Sequence, residues 1–250
     1  MGGDGNIDQC QKSRSMEKEL REENLRELSA EIREAGFPES VVADLRKQWG
    51  QRKAGDMLLF FQAQVEGRKV LGSLYFEREM RDGPFRFAHF DVDLGKGSVA
   101  PVGENCFVRG SGYAVSLREA VNLMEGRSIY REPAFDPTGQ GYWVSLSRSG
   151  AVAGMHLQNY DRSDFNVAVA IRESELVRWL DGPAQEKLAG RLRQGDLVKL
   201  AIGPKSRRIE VLVEADPGVK DLRVSYPKRK ALVRGEKRPD TRTAKVVRSR

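Results

Sequence analysis

Leu20, Leu25, Leu28, Ile32 and Ala35 recur at spacings of three to five along MEKELREENLRELSAEIREAGF, which predicts an amphipathic helix ended by Gly36. Glu17 with Arg21 and Glu22 with Arg26 are favourable i,i+4 pairs on its surface. Pro38 suits the first turn of a second helix, with Val41, Val42, Leu45 and Trp49 on one face. The two form a hairpin or cap. The repeat then shortens to two residues. Phe61, Ala63 and Val65 alternate with Gln62 and Gln64, and Glu66-Gly67 reads as a tight turn into a strand through Val70, Leu74 and Phe76. PFRFAHFDVDL places Ala88, Phe90, Val92 and Leu94 on one face with Arg86 in the same phase, and NCFVRG supplies a fourth strand. Such short connections make an antiparallel meander, because parallel strands need long crossovers.

In SLREAVNLMEG, Ser116 and Glu119 form a capping box and Gly126 sits where a left-handed C-terminal residue belongs. Strands RSIYRE and GYWVSLSRSG follow, separated by PAFDPTGQG, and AVAGMHLQ pairs with the second of them. Helices are expected over 171–181 and 184–194, divided by Gly182-Pro183. The strands LVKLAI, RIEVLVEA and DLRVSYP close the pattern. Helices and strands come in runs rather than in alternation, so the expected class is α+β: an N-terminal helical hairpin, an antiparallel meander, then a helix plus antiparallel sheet unit. The expected division is a disordered leader (1–15), a hairpin and meander subdomain (16–112), an α+β subdomain (113–227) and a disordered basic tail (228–250), with RGSGYA at 109–114 as the seam.

Composition changes this picture little until charge is placed along the chain. The 250 residues are 39% hydrophobic and 32% charged, as in a soluble globular protein long enough to bury a core. No apolar run approaches the ~20 residues of a membrane helix. The start lacks the features of a secretory signal, which makes the cytoplasm the expected compartment. Cys10 and Cys106 are the only cysteines, which is neither a disulfide framework nor a zinc spacing. The net charge of +7 belongs to the end of the chain. From Pro227 on, Lys228, Arg229, Lys230, Arg234, Lys237, Arg238, Arg242, Lys245, Arg248 and Arg250 face only Glu236 and Asp240, a surplus of +8, whereas residues 1–226 sum to −1.

Ten cations in so short a stretch release counterions from a phosphate backbone, so the expected partner is DNA or RNA, bound non-specifically and with steep salt dependence. Without interleaved aromatics or a recognition helix, the tail reads charge and not sequence. An acidic protein surface is the next candidate. Membrane lipid ranks below both, because no amphipathic helix accompanies the charge.

Chemistry elsewhere is sparse. His89 and His156 are the only histidines; His89 with Asp91 and Asp93, and His156 with Asn159 and Asp161, are conceivable clusters that an exposed sheet face also explains. Gly95-Lys96-Gly97, Gly110-Ser111-Gly112 and Gly139-Gln140-Gly141 lack phosphate-loop spacing and read as turns. Neither a catalytic constellation nor a cofactor or metal motif is present in the sequence. Phe85, Arg86, Phe87 and His89 form a candidate stacking surface flanked by Arg81, set against the stronger reading that this face packs beneath the N-terminal helices.

Several short motifs occur in a familiar order: Leu123 to Arg127 at a helix end, Trp143-Val144 in a strand, Gln158-Asn159-Tyr160, and Glu214-Ala215-Asp216-Pro217 in a late hairpin. Over about residues 20–230 the chain resembles an uncharacterised family carried on conjugative transposons and plasmids, mainly in Bacteroidetes. It departs from that family at Asp161-Arg162-Ser163-Asp164, where a short glycine step is usual. The resemblance implies an accessory protein of a mobile genetic element, encoded beside DNA-processing genes and possessing no known reaction. The resulting expectation is a non-catalytic accessory protein whose body binds another protein, one encoded by the same element being a candidate, or itself, and whose basic tail contacts DNA or RNA. The alternative is a protein–protein adaptor or inhibitor that uses the 85–93 sheet face, with the tail incidental.

Overall fold

The structure, a computed structural model, describes residues 5–49, 57–78, 80, 83–95, 106–108, 114–132, 141–148, 155–160, 165–204 and 206–227, with side chains described outside 5–14, 106, 108, 147, 148, 155–160 and 177. The fold is mixed α+β. Helices α1 (Gly5–Glu34) and α2 (Glu39–Trp49) precede a sheet of β1 (Met57–Val65), β2 (Arg68–Arg78), β3 (Phe85–Asp93) and β4 (Cys106–Val108) in the order β1-β2-β3-β4. Next come α3 (Leu117–Met124) and a sheet β5-β6-β7 built from Ile129–Arg131, Tyr142–Arg148 and Met155–Tyr160. Helix α4 (Val167–Glu173), a 3-10 turn (Glu175–Trp179) and α5 (Gly182–Arg193) lead into β8 (Val198–Ile202), β9 (Ile209–Asp216) and β10 (Asp221–Ser225), ordered β10-β9-β8. Every strand pair is antiparallel.

Local chemistry explains most boundaries. The β1–β2 turn puts Glu66 and Gly67 at φ +51° and +79°, the two left-handed residues that match a two-residue turn to strand twist. The Ser116 hydroxyl accepts from the Glu119 backbone N–H while the Glu119 carboxylate accepts from that of Ser116, closing the capping box of α3. Helix α1 starts at Gly5, inside the stretch read as a leader. No proline or glycine interrupts residues 6–34, so a helix nucleated on the packed C-terminal turns propagates backwards at little cost. The helix expected over 171–181 is instead α4 followed by the 3-10 turn. Asn166 caps α4 by accepting from the N–H groups of Ala168 and Val169.

Two apolar clusters organise these elements. In the first, Leu28 and Ile32 of α1 and Val42 and Leu45 of α2 cover Leu59, Leu74, Phe76 and Phe90 of the meander, joined by Leu117 and Val121 of α3. Phe37, between α1 and α2, meets Phe61, Phe87 and Phe90 edge-on at 5.0, 6.0 and 5.1 Å, an arrangement worth about 0.5–1.5 kcal/mol per pair beyond area burial. In the second, Phe165, Ile171, Leu188 and Leu192 cover Val198, Val211 and Val213. The β5–β6 ribbon serves both clusters. Its facing pair Ile129 and Val144 lies in the first, and the next pair, Tyr130 and Trp143, in the second, because successive residues of a strand point to opposite sides. Thus α3, C-terminal to the 112/113 division read from the sequence, packs into the first cluster. Among the described residues, no helix is long and apolar enough to cross a membrane.

Candidate functional site

Strand β3 does not keep one phase. Tyr75 faces His89 and Phe76 faces Phe87, which leaves Ala88 unopposed in a β-bulge. Phe85 and Phe87 before the bulge and Phe90 and Val92 after it therefore all turn into the core. Phe85 packs on Trp49 at 5.4 Å, and Phe87 stacks on Phe76 at 5.4 Å. The candidate surface of Phe85, Arg86, Phe87 and His89 is consequently not assembled. Both phenylalanines lie beneath the N-terminal helices, and only Arg86 and His89 reach the outer face. There Arg86 pairs with Glu77 at 3.1 Å, and the His89 ring stacks on Tyr75 at 4.2 Å with its Nδ1 3.7 Å from Glu77 Oε1.

Asp91 shares that face with His89. It accepts from the Tyr75 hydroxyl at 3.0 Å and from the Ser73 backbone N–H at 2.6 Å. Asp93 accepts from the Gly95 N–H at 2.8 Å, a local turn bond. Exposed Phe60 and Leu71 complete the outer face. These contacts orient a polar sheet surface and supply no activated nucleophile. Among the described residues, no group of three His, Cys, Asp or Glu side chains could hold a metal ion. The side chains of Cys10, Cys106, His156 and Asn159, the residues 96–97, 109–113, 139–140 and 161–164, and the whole basic segment Lys228 to Arg250 lie outside what the structure describes.

A second polar assembly was not read from the sequence. Asp196, fully buried after α5, accepts from Arg118 Nε at 2.9 Å and Nη2 at 2.5 Å, from Arg191 Nε at 2.8 Å and from Asn122 Nδ2 at 3.3 Å. Arg118 also reaches Glu66 in the β1–β2 turn at 2.7 Å. Arg127 donates to the Gly195 carbonyl at 2.7 Å, to Glu125 at 2.5 Å and to the side-chain amide oxygen Oδ1 of Asn122, and Arg68 pairs with Glu125 from outside. Gly195, at φ +80°, has no room for a side chain, since a Cβ would lie 2.8 Å from the Ser128 carbonyl. Burial lowers the pKa of Arg127 from its ordinary value, against the raising influence of Glu66, Glu214 and Asp196. This knot ties the meander, α3 and the α5–β8 connection together, and its charges are consumed in doing so.

The third feature is an open groove of about 500 Å³ between α1, the end of α2 and the β2–β3 end of the meander. Glu17, Leu20, Glu23 and Glu27 of α1 line one wall, and Trp49 and Phe85 the other. Asn24 fixes the geometry from its floor. Its Nδ2 donates to the Phe85 carbonyl at 2.8 Å and its Oδ1 accepts from the Phe85 N–H at 2.9 Å, as a neighbouring strand would. Leu20 is 62% exposed, although it belongs to the apolar repeat of α1. Arg21 also lines the groove, and the Arg78 guanidinium lies 4.0 Å over the Phe85 ring.

Three of the four motifs that carry the family resemblance occupy structural positions in this geometry, and the side chains of the fourth, Gln158-Asn159-Tyr160, lie outside the described residues. Gly126 is left-handed at φ +83° and Arg127 is in the knot, while Trp143 fills the second cluster and donates to the Phe165 carbonyl at 3.2 Å. Glu214 and Asp216 both accept from Arg223 across the β9–β10 hairpin. No protein-family model, no curated protein and no solved structure matches the chain.

Proposed function

We propose that the chain is a non-catalytic accessory protein of a mobile genetic element whose basic segment Lys228–Arg250 contacts DNA or RNA through charge. One observation carries the reading: the cationic surplus is confined to the last 24 residues, +8 against −1 for everything before them. The body's own ion pairs are in keeping with that separation. Arg33 pairs with Glu39, Arg86 with Glu77, Arg131 with Glu119, Lys199 with Glu210, Arg223 with Glu214 and Arg118 with Asp196, so these cations already have carboxylate partners. The assignment to a mobile element rests on the ordered motifs from Leu123 to Pro217.

Binding of this kind is non-specific, at a Kd of roughly 10⁻⁴–10⁻⁶ M at physiological salt, and weakens steeply as salt rises. The test compares the full chain with one ending at Pro227 in mobility-shift titrations against single-stranded DNA, duplex DNA and RNA over a salt series. The full chain is expected to bind with a steep negative salt slope, and the shortened chain to lose retention while its Tm stays within a degree or two. Equal retention by the shortened chain, or a flat salt response, would overturn the reading.

A further inference from the structure

We propose that the α1 groove is the resting place of the chain's own basic segment, Lys228–Arg250, which nucleic acid displaces; the inference rests on that segment being the polyanion contact. Charge points the same way as shape. The lining sets Glu17, Glu23 and Glu27 against Arg21 and Arg78, and residues 16–35 as a whole carry Glu17, Glu19, Glu22, Glu23, Glu27, Glu31 and Glu34 against Lys18, Arg21, Arg26 and Arg33, a net −3 in a body that sums to −1. Glu17, Glu23 and Glu27, the three that line the groove, make no ion pair within 4.0 Å among the described residues, whereas on the same stretch Lys18 pairs with Glu22 at 4.0 Å and Arg33 with Glu39 at 2.7 Å. Exposed Leu20 lies beside these carboxylates and the half-buried indole of Trp49 on the facing wall, which suit the aliphatic stems and the charged heads of lysine and arginine respectively.

Reach is not limiting. The 23 residues after Pro227 span at most roughly 75 Å when extended, at about 3.3 Å per residue. A compact body of this size has a radius of gyration of only about 17 Å. Tethering places the segment at an effective concentration on the order of millimolar, so a contact too weak to form between separate molecules is populated within one chain. Among the ten cations stand short apolar runs, Ala231-Leu232-Val233 and Val246-Val247, of the same character as Leu20 and Trp49. The groove and a nucleic acid then compete for the same charges, and occupancy of the groove lowers apparent affinity by the fraction of chains with the segment free.

The experiment uses the full chain. Zero-length carbodiimide coupling, read by mass spectrometry on the monomer band, is expected to join Lys228, Lys230, Lys237 or Lys245 to Glu17, Glu23 or Glu27, and an excess of duplex DNA or 0.5 M salt, roughly a 4 Å screening length, to suppress it. Leu20→Ser, at an exposed position that tolerates polarity, should cut the yield at least about twofold by opening the apolar contact. The triple variant Glu17→Gln/Glu23→Gln/Glu27→Gln should bind duplex about three- to tenfold tighter than wild type, and tighter than Glu173→Gln/Glu175→Gln/Glu186→Gln, which makes the same charge change at exposed sites elsewhere. Coupling to other carboxylates, coupling only between chains, or equal affinities for the two triple variants would overturn the proposal. Should groove coupling appear while the wild-type chain ignores every nucleic acid, the groove contact stands and the polyanion reading falls. Should nucleic acid bind while no coupling forms, the reverse holds.

Discussion

The Asp196 knot and the α1 groove both gather charged side chains around a junction of elements, and they use them in opposite ways. In the knot, Asp196 is wholly buried and takes bonds from Arg118, Arg191 and Asn122, while Arg127 is spent on a carbonyl, a carboxylate and an amide oxygen. In the groove, three glutamates line an open wall beside exposed Leu20, and the buried polar group, Asn24, is bonded to backbone. Buried charge survives only when paired, so the knot is architecture; exposed unpaired charge costs little and stays available to a ligand. Charge count alone does not separate the two. Burial and partner count do.

Breaking the knot should have the largest consequence. Asp196→Ala takes the shared acceptor from Arg118, Arg191 and Asn122 and should lower unfolding free energy by about 3 kcal/mol, read from urea or thermal denaturation. A loss under about 1 kcal/mol would mean that the arginines swing out to water and that the knot contributes little. Asp196→Asn retains the shape and should fall between the two.

An intermediate effect is expected at Glu119, which joins the Ser116 cap to Arg131. Burial pushes its pKa up, but the Arg131 guanidinium and the Ser116 bonds outweigh that and hold it below the ordinary glutamate value. Because the folded pKa is depressed, the stabilisation is complete above the unfolded glutamate pKa of about 4.3 and is lost as pH falls through the folded value. Glu119→Gln should therefore cost about 1–2 kcal/mol at neutral pH and little once pH has fallen through the folded value, making the acid limb of the stability profile shallower than in wild type. A parallel downward shift at every pH would show that packing, not ionisation, carries the contribution. The smallest effect sharpens the other side of the comparison: Glu23→Gln, on the open groove wall, should leave stability within about 0.5 kcal/mol. A larger loss would place that carboxylate among the structural ones.

The helices and strands were mostly legible because each carries its own local signal: the apolar repeat of α1 and α2, the Ser116 and Glu119 box, the Glu66-Gly67 turn and the alternation in β1. What escaped depends on more than one segment. The bulge at Ala88 reverses the phase of β3, and period-two reasoning carried His89 onto the wrong side of Phe85 and Phe87. A trace was present, since the aromatic spacing changes from two at Phe85–Phe87 to three at Phe87–Phe90. Asn166 was an unread cap that moves the following helix four residues earlier than expected. The knot left no comparable trace. Arg118 and Asp196 are 78 residues apart, and only the tertiary fold makes them neighbours.

The β5–β6 ribbon is a party wall. Its rungs alternate between rooms, Ile129 and Val144 to one side and Tyr130 and Trp143 to the other. A slip of one rung would hand each room the other's furniture, aromatic where aliphatic belongs in one interior and aliphatic where aromatic belongs in the other. The halves of this molecule are therefore not interchangeable parts: whichever fragment retains the wall leaves the other without its inner surface, and a cut on either side of it should yield pieces that mature only in each other's company.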